Sequence, residues 1–349
     1  MAKEYYDGKD NYLIYAENTG YTGSTNTFDG GTPAISENFG RLQSVTLNMN
    51  NNLQIAHGIG DGITGSSVQY GNFDVSGTIN CEPIDFTFLQ YGVGNIQTSA
   101  GTGPGGENES ELVELPNVGY SDGTYLPTIK LELGAKALSN HQEKTINGVV
   151  FNSWTLSGTN GEKLQCTIDF TGSTVTRGTT IETYSAPSGT SFTFINGSFK
   201  WNAETLTVTD FSITCDLNPT YPREVFNRFG KLPTLGVRRY TWSATILMHY
   251  DNTANTVSSN ELLSEFFGDT NSPDSSGNPT GRALVVTVSE GSSSGDKVLT
   301  LQFANAFITS WSENPSLEGG QVPITVSGIA LAGTTEGSDV IPVTWYTTA

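Results

Sequence analysis

Few residues in this chain have the types and spacing that chemistry needs. The histidines, His57, His141 and His249, are scattered and unpaired in sequence, and a single imidazole serves more often as a structural or surface group than as a base or ligand. Cys81, Cys166 and Cys215 are odd in number, far apart and without a Cys-x-x-Cys pair. Neither a disulfide framework nor a cysteine zinc site is expected, and the three read as small apolar strand residues. Gly101-Thr102-Gly103-Pro104-Gly105-Gly106 has the form Gly-x-Gly-x-x-Gly. That motif holds a pyrophosphate only between a strand and a helix N-terminus. Here Pro104 interrupts it, and Glu107, Glu109, Glu111 and Glu114, which would repel a phosphate, follow. Asp251-Asn252-Thr253-Ala254-Asn255 begins like a calcium loop but lacks the turn glycine and the terminal Glu. It reads as a polar turn. No His-Glu-x-x-His pair or Walker A loop occurs. No catalytic residue, cofactor or metal site is therefore expected.

Charge is more informative. Sixteen Lys plus Arg against 35 Asp plus Glu give a net charge of −19. So acidic a chain is ill suited to gripping nucleic acid or an anionic membrane. Five of the basic residues, Arg223, Arg228, Lys231, Arg238 and Arg239, fall within 17 positions. They form either a solvated hairpin or a contact surface for an acidic neighbour within a homo-oligomer. No apolar run is long enough to span a membrane, and the N-terminus lacks a secretory signal.

The elements that must position these residues are strands. In 73–79 one face carries Phe73, Val75 and Ile79 and the other Asp74, Ser76 and Thr78. Leu164, Cys166, Ile168 and Phe170 alternate with polar residues, as do Tyr240, Trp242, Ala244 and Ile246. Period two with one polar face predicts half-buried antiparallel strands. A capping box, Ser258-Ser259-Asn260-Glu261, predicts a helix that ends at Gly268. A second helix is expected over 83–91, with Pro83 at its first position and Gly92 just past its end. The segments 99–107 and 268–282 read as mobile surface loops.

These features recur in order. A strand at 45–49 answers 211–215, and a long loop at 53–71 answers 218–236. A return strand at 72–80 answers 237–248, and a helix at 83–91 answers 258–267. A strand at 128–133 answers 283–288, and Trp154 with its hairpin answers Trp311. The offset is 213 − 47 = 166 near the first strand and 311 − 154 = 157 at the tryptophans. Two diverged copies, 1–185 and 186–349, account for this.

The order strand, long loop, strand, short helix, then more strands, in an acidic Gly/Asn/Ser/Thr-rich chain, resembles tail tube proteins of tailed bacteriophages and archaeal viruses. The residues that carry it are the strand at 45–49, the loop at 53–71, Gly71-Asn72-Phe73-Asp74-Val75-Ser76-Gly77-Thr78-Ile79 and the helix at 83–92, repeated through 211–268. The resemblance implies a mainly β chain of two tandem sandwich- or barrel-like modules, each flanked by one helix. Six modules form a ring whose inner sheets join into a barrel, and rings stack into a hollow tube. With tandem modules, three chains make a pseudo-sixfold ring. The family's long loop contacts the adjacent ring, a role that falls here on 53–71 and 218–236, where Arg223, Arg228, Lys231, Arg238 and Arg239 are stacking candidates. The chain closes on a strand at 340–349, which leaves no room for a further domain. Asp74, Ser76, Thr78, Thr167, Asp169 and Thr171 are candidates to line the lumen, where an acidic wall would leave DNA mobile. Expected partners are further copies of itself and the tape-measure, tail terminator and baseplate or tip proteins. Genomic DNA passes without specific binding, and no membrane is involved. The location is the virion tail, after synthesis in the host cytoplasm.

Two other classes remain open on sequence. One is a carbohydrate-binding or adhesive β-sandwich protein, with Trp154 and Trp311 as sugar platforms, although their matched placement argues for core positions. The other is a β-rich hydrolase using loop carboxylates.

Overall fold

The computed structural model describes residues 11–22, 27–29, 38–56, 67–99, 108–114, 126–135, 141–179, 187, 189–225, 227–247, 259–268, 281–291, 297–315, 322–331 and 340–347. Of the expected loops at 99–107 and 268–282, residues 100–107 and 269–280 lie outside these residues, as do the turn at 251–255, His57 and His249, while Ser99 ends one strand and Arg282 begins another.

Twelve strands form two sets of six. The first holds β1 (Tyr12–Glu17), β2 (Arg41–Asn50), β3 (Asp74–Glu82), β4 (Ile129–Ala135), β5 (Gln142–Thr159) and β6 (Gln165–Gly172). The second holds β7 (Thr193–Trp201), β8 (Val208–Asp216), β9 (Arg239–Leu247), β10 (Arg282–Ser289), β11 (Val298–Glu313) and β12 (Pro323–Leu331). Every pairing is antiparallel. The first set is ordered β1-β4-β5-β6-β3-β2. The second is ordered β7-β10-β11-β12-β9-β8. In each set a further strand, Thr174–Gly178 or Val340–Thr347, pairs with the N-terminal part of the long strand, β5 or β11. The two sets are joined where β5 pairs with β8, from Ser153 opposite Asp216 to Thr159 opposite Asp210, and again where Val340–Thr347 pairs with Asn108–Glu114.

The bulges repeat as well. The register slips between Leu42 and Ser44 on β2 and between Val208 and Asp210 on β8. It slips between Ile129 and Leu131 on β4 and between Arg282 and Leu284 on β10. It slips between Phe151 and Ser153 on β5 and between Ile308 and Ser310 on β11. A bulge inserts a residue and bends its strand, so matched bulges impose matched curvature.

The expected alternation is observed. Val75, Ile79 and Cys81, then Leu164, Cys166, Ile168 and Phe170, then Tyr240, Trp242, Ala244 and Ile246 are all buried in one core that runs through both sets. Phe73 precedes its strand and packs edge-on against Phe229, with ring centroids 5.8 Å apart. All three cysteines are buried, and none is in a disulfide. Cys166 lies opposite Cys81, and burial, then its neighbour Cys81, pushes its thiol well above the usual range.

One core contact is exchanged between the sets. Gly77 on β3 lies opposite Phe170 on β6, whereas Trp242 on β9 lies opposite Gly328 on β12. A Cβ on Gly77 would come within 2.5 Å of the Phe170 ring, and one on Gly328 within 2.8 Å of the Trp242 indole. Each ring therefore needs the glycine facing it, but the ring comes from opposite sides of the pair.

A helix, α1 (Ser259–Phe267), forms where the capping box predicts one, and Leu262 is its buried anchor. The segment at 83–91 differs from expectation. Only Thr87–Tyr91 is helical, as a 3-10 turn, and Pro83 lies outside it. Its run of Ile, Phe and Thr disfavours a longer helix. Gly92 has φ −115°, so it is not a left-handed cap. A Cβ there would press to 2.9 Å on both Phe151 and Trp154, and that close approach is what requires glycine. The 3-10 turn thus sits over Trp154, as α1 sits over Trp311 through a stacked Phe266, centroids 6.3 Å apart.

Candidate functional site: a polar sheet face and two matched loops

The apolar residues of β2, β3, β5, β6 and β8 turn to the core, so their polar partners share the opposite face. All six residues proposed for a lumen lie on these strands, and hydrogen bonds across them tie the face together. Thr78 donates to Asp169 at 2.6 Å, Thr167 to Asn80 at 2.8 Å, and Thr171 to Asn152 at 2.9 Å. Ser153 also donates to Asp169, at 3.3 Å, and the hydroxyls of Thr155 and Thr214 meet at 2.9 Å across the β5–β8 junction. A shallow cavity of about 330 Å³ opens on this face, lined by Asn48, Ser76, Thr78, Asn152, Asp169 and Asp216 among others. Its lining holds two carboxylates and no Lys or Arg. Ser76 and Asp74 lie at the exposed end of β3.

At one end of these strands the two long loops leave the sheet by the same path. Each begins with an asparagine in the left-handed region, Asn52 at φ 44° and Asn218 at φ 48°, which that side chain tolerates better than most. Gly71 and Gly236 close over the carbonyls of those asparagines. The first rung follows two residues on, Gln54 opposite Gln69 and Thr220 opposite Thr234.

The second loop is seated on the first set of strands. The Tyr221 hydroxyl reaches two carbonyl oxygens, Gly148 at 2.8 Å and Thr171 at 2.7 Å. Ser173 donates to the Gly230 carbonyl, and the Phe73 amide donates to the Arg228 carbonyl at 2.9 Å. Arg223 is ion-paired with Asp74, and Lys231 with Glu224 inside the loop. Arg228 donates to Asn51 at 2.7 Å and lies 4.8 Å from the centre of the Tyr70 ring. Pro233 is buried. Arg223, Arg228, Lys231 and Arg238 therefore have partners inside the chain, while Arg239 is exposed at the start of β9.

The described residues of the first loop are more open. Leu53, Ile55 and Val68 are 58%, 59% and 59% exposed. The sequence contains the signal that pairs the two loops, an Asn and a Gly at matched spacing (71 − 52 = 19 and 236 − 218 = 18). It contains none for the Tyr221 contacts, which are remote in sequence.

Trp154 is fully buried and Trp311 is half-buried, its Nε1 donating to Glu313 at 2.7 Å. A buried indole offers no sugar platform. Among the described residues no cluster of His, Cys, Asp and Glu is arranged to hold a metal ion.

A mainly antiparallel chain with a hydrogen-bonded polar face and a bare apolar hairpin has the features of a structural building block. The chain matches the phage tail tube protein family over residues 117–327, more than half its length, and belongs to that family. It is thus a structural, non-enzymatic protein of the virion tail, of a kind that self-assembles. No curated protein matches it.

Proposed function

We propose that the chain is two tandem tail-tube modules, 1–185 and 186–349, and that three chains close a pseudo-sixfold ring that stacks into the tube. The observation that carries this reading is the repeated pairing order with its three matched bulges. It also supplies the closing contact. β8 is covered by β5, and its apolar residues are buried. β2, the equivalent strand, has β3 as its ladder partner among the described residues, and most of it is exposed. The equivalent of the C-terminal half of β5 is residues 307–313 of β11, whose described partner is β12. An open edge invites a strand. Carried over from β5–β8, the register sets Ser310 opposite Asn50, Trp311 opposite Met49 and Glu313 opposite Leu47 of the next chain. Pro315 then takes the place of Gly158 and ends the ladder, because it has no amide to donate.

The polar face, with Asp74, Ser76, Thr78, Thr167, Asp169 and Thr171, lines the lumen in this reading. Asp169 and Asp216, which share their cavity with no Lys or Arg, repel phosphate and leave DNA mobile. The exposed loop tip at Val225 and the arginine at 239 remain for stacking on the next ring. The Arg223, Arg228, Lys231 and Arg238 stretch gives that tip its shape. Tape-measure, terminator and baseplate or tip proteins are the further partners, and synthesis is in the host cytoplasm.

Negative-stain microscopy of concentrated protein tests the reading. Hollow striated tubes with six lobes in end-on views are expected. Rings of another symmetry, or a map that places Thr78 and Asp169 on the exterior, would overturn the ring or lumen reading respectively.

A further inference from the structure

The two loops share their base geometry, yet one is seated, while Ile55 and Val68 near the base of the other are exposed. The seat of the second loop is known in detail: the carbonyls of Gly148 and Thr171, with Ser173 beside them. The strand registers identify the same place on the second set. Val149 opposite Ile129 corresponds to Ala306 opposite Arg282, so Gly148 corresponds to Asn305. Val150 opposite Thr171 corresponds to Phe307 opposite Ile329, so Thr171 corresponds to Ile329 and Ser173 to Leu331. On the loops, the rungs Thr220–Thr234 and Gln54–Gln69 make Ile55 the counterpart of Tyr221 and Val68 that of Pro233.

The chemistry changes in concert on both sides. In the seated pair a phenol and a serine hydroxyl each bond to a backbone carbonyl. In the bare pair the phenol becomes Ile55 and the serine becomes Leu331, which is 51% exposed. Val68 replaces a proline that is buried in the seated loop. An apolar plug and an apolar seat thus stand open on one molecule, at places that match in geometry but lie in different sets of strands. Such complementary patches join one copy to the next, and they close a ring if the rotation allows.

We propose that the hairpin carrying Ile55 and Val68 docks on the Asn305–Ile329–Leu331 seat of a second copy of this chain in the same ring. The proposal rests on the tandem-ring reading above. It makes the long loop a lateral clasp between neighbours, where the family resemblance sets it against the adjacent ring.

The test replaces Ile55 with a benzophenone amino acid, close to tyrosine in shape, and irradiates assembled protein checked by microscopy. The expected product joins position 55 to the 303–331 segment of another chain, and the covalent ladder stops at the closed ring. Leu331→Asp, which places an unpaired carboxylate in the seat, should lower the yield about tenfold or more, equivalent to about 1.4 kcal/mol. Circular dichroism should show that this variant remains folded. Tubes that form normally but cross-link elsewhere, give no cross-link, or give a ladder that runs past the ring size overturn the clasp alone. Protein that stays monomeric at every concentration and gives no intermolecular product overturns the ring reading and the clasp together.

Discussion

Tyr221 and Ile55 stand at the same step of two loops that leave the sheet by the same left-handed asparagine, yet they have opposite surroundings. Tyr221 spends its hydroxyl on two carbonyls of the neighbouring strands. Ile55 is more than half exposed. The same contrast holds along the whole chain. β8 is covered by β5 and β2 is not, and Trp154 is buried while Trp311 is only half so. Equivalent backbone paths therefore do not imply equivalent burial. What differs is whether another set of strands lies on the far side, and for the first loop, β2 and Trp311 none does among the described residues of one chain.

Breaking the buried member of each pair should cost far more than breaking its counterpart. Trp154→Ala should destabilise the isolated chain by about 3–5 kcal/mol, as large buried-aromatic truncations do. Trp311→Ala should cost about 1 kcal/mol, in the range of partly exposed sites. Paired denaturant melts check this, and equal losses would mean that the two tryptophans are equally covered in solution. Tyr221→Ala should cost about 2–4 kcal/mol through lost packing and loss of the single O–H that the Gly148 and Thr171 carbonyls share. Ile55→Ala should stay within about 0.5 kcal/mol in the monomer, and its effect should appear only in assembly.

Smaller effects sharpen the electrostatic side of the comparison. Arg223→Asp sets like charges together at Asp74 and should cost about 0.2–1 kcal/mol, as exposed pairs do. Restoring opposite charges with Asp74→Arg should recover most of that loss in a double-mutant cycle. The smallest effect is a pH dependence. Burial raises the Glu82 carboxyl, but Lys163 at 3.0 Å, Gln43 and Ser191 outweigh it and hold the group below its ordinary value of 4.5. A depressed carboxylate stabilises the fold above its unfolded pKa, and that contribution is lost as pH falls through the lower folded value. Thermal melts from pH 6 to about pH 3 should therefore decline more steeply for the parent than for Glu82→Gln.

Much of this was legible in the sequence because it is local. The alternation at 164–170 and 240–246 fixed the strands and the buried face, and Ser258 with Glu261 marked the start of α1. Order and spacing pointed to a repetition, and the pairing order recurs in the two sets of strands. The 83–91 segment misled because Gly92 looks like a helix stop, while its real constraint is the pair of rings beneath it, far along the chain. The basic stretch was visible as a cluster, but its partners Asp74 and Asn51 are about 150 residues or more away. A seat made of two backbone carbonyls leaves no mark in residue type at all, so the placement of Tyr221 needed three dimensions.

The exchanged glycines bear on how such a chain folds at all. Two halves with the same strand order could trade hairpins during synthesis, a characteristic failure of repeated domains. If β12 paired with β3, Gly328 would face Gly77 and leave a hole the size of an aromatic ring. If β6 paired with β9, Phe170 would collide with Trp242. One large-for-small swap thus acts as an identity tag, telling each hairpin which sheet is its own before any neighbouring chain arrives.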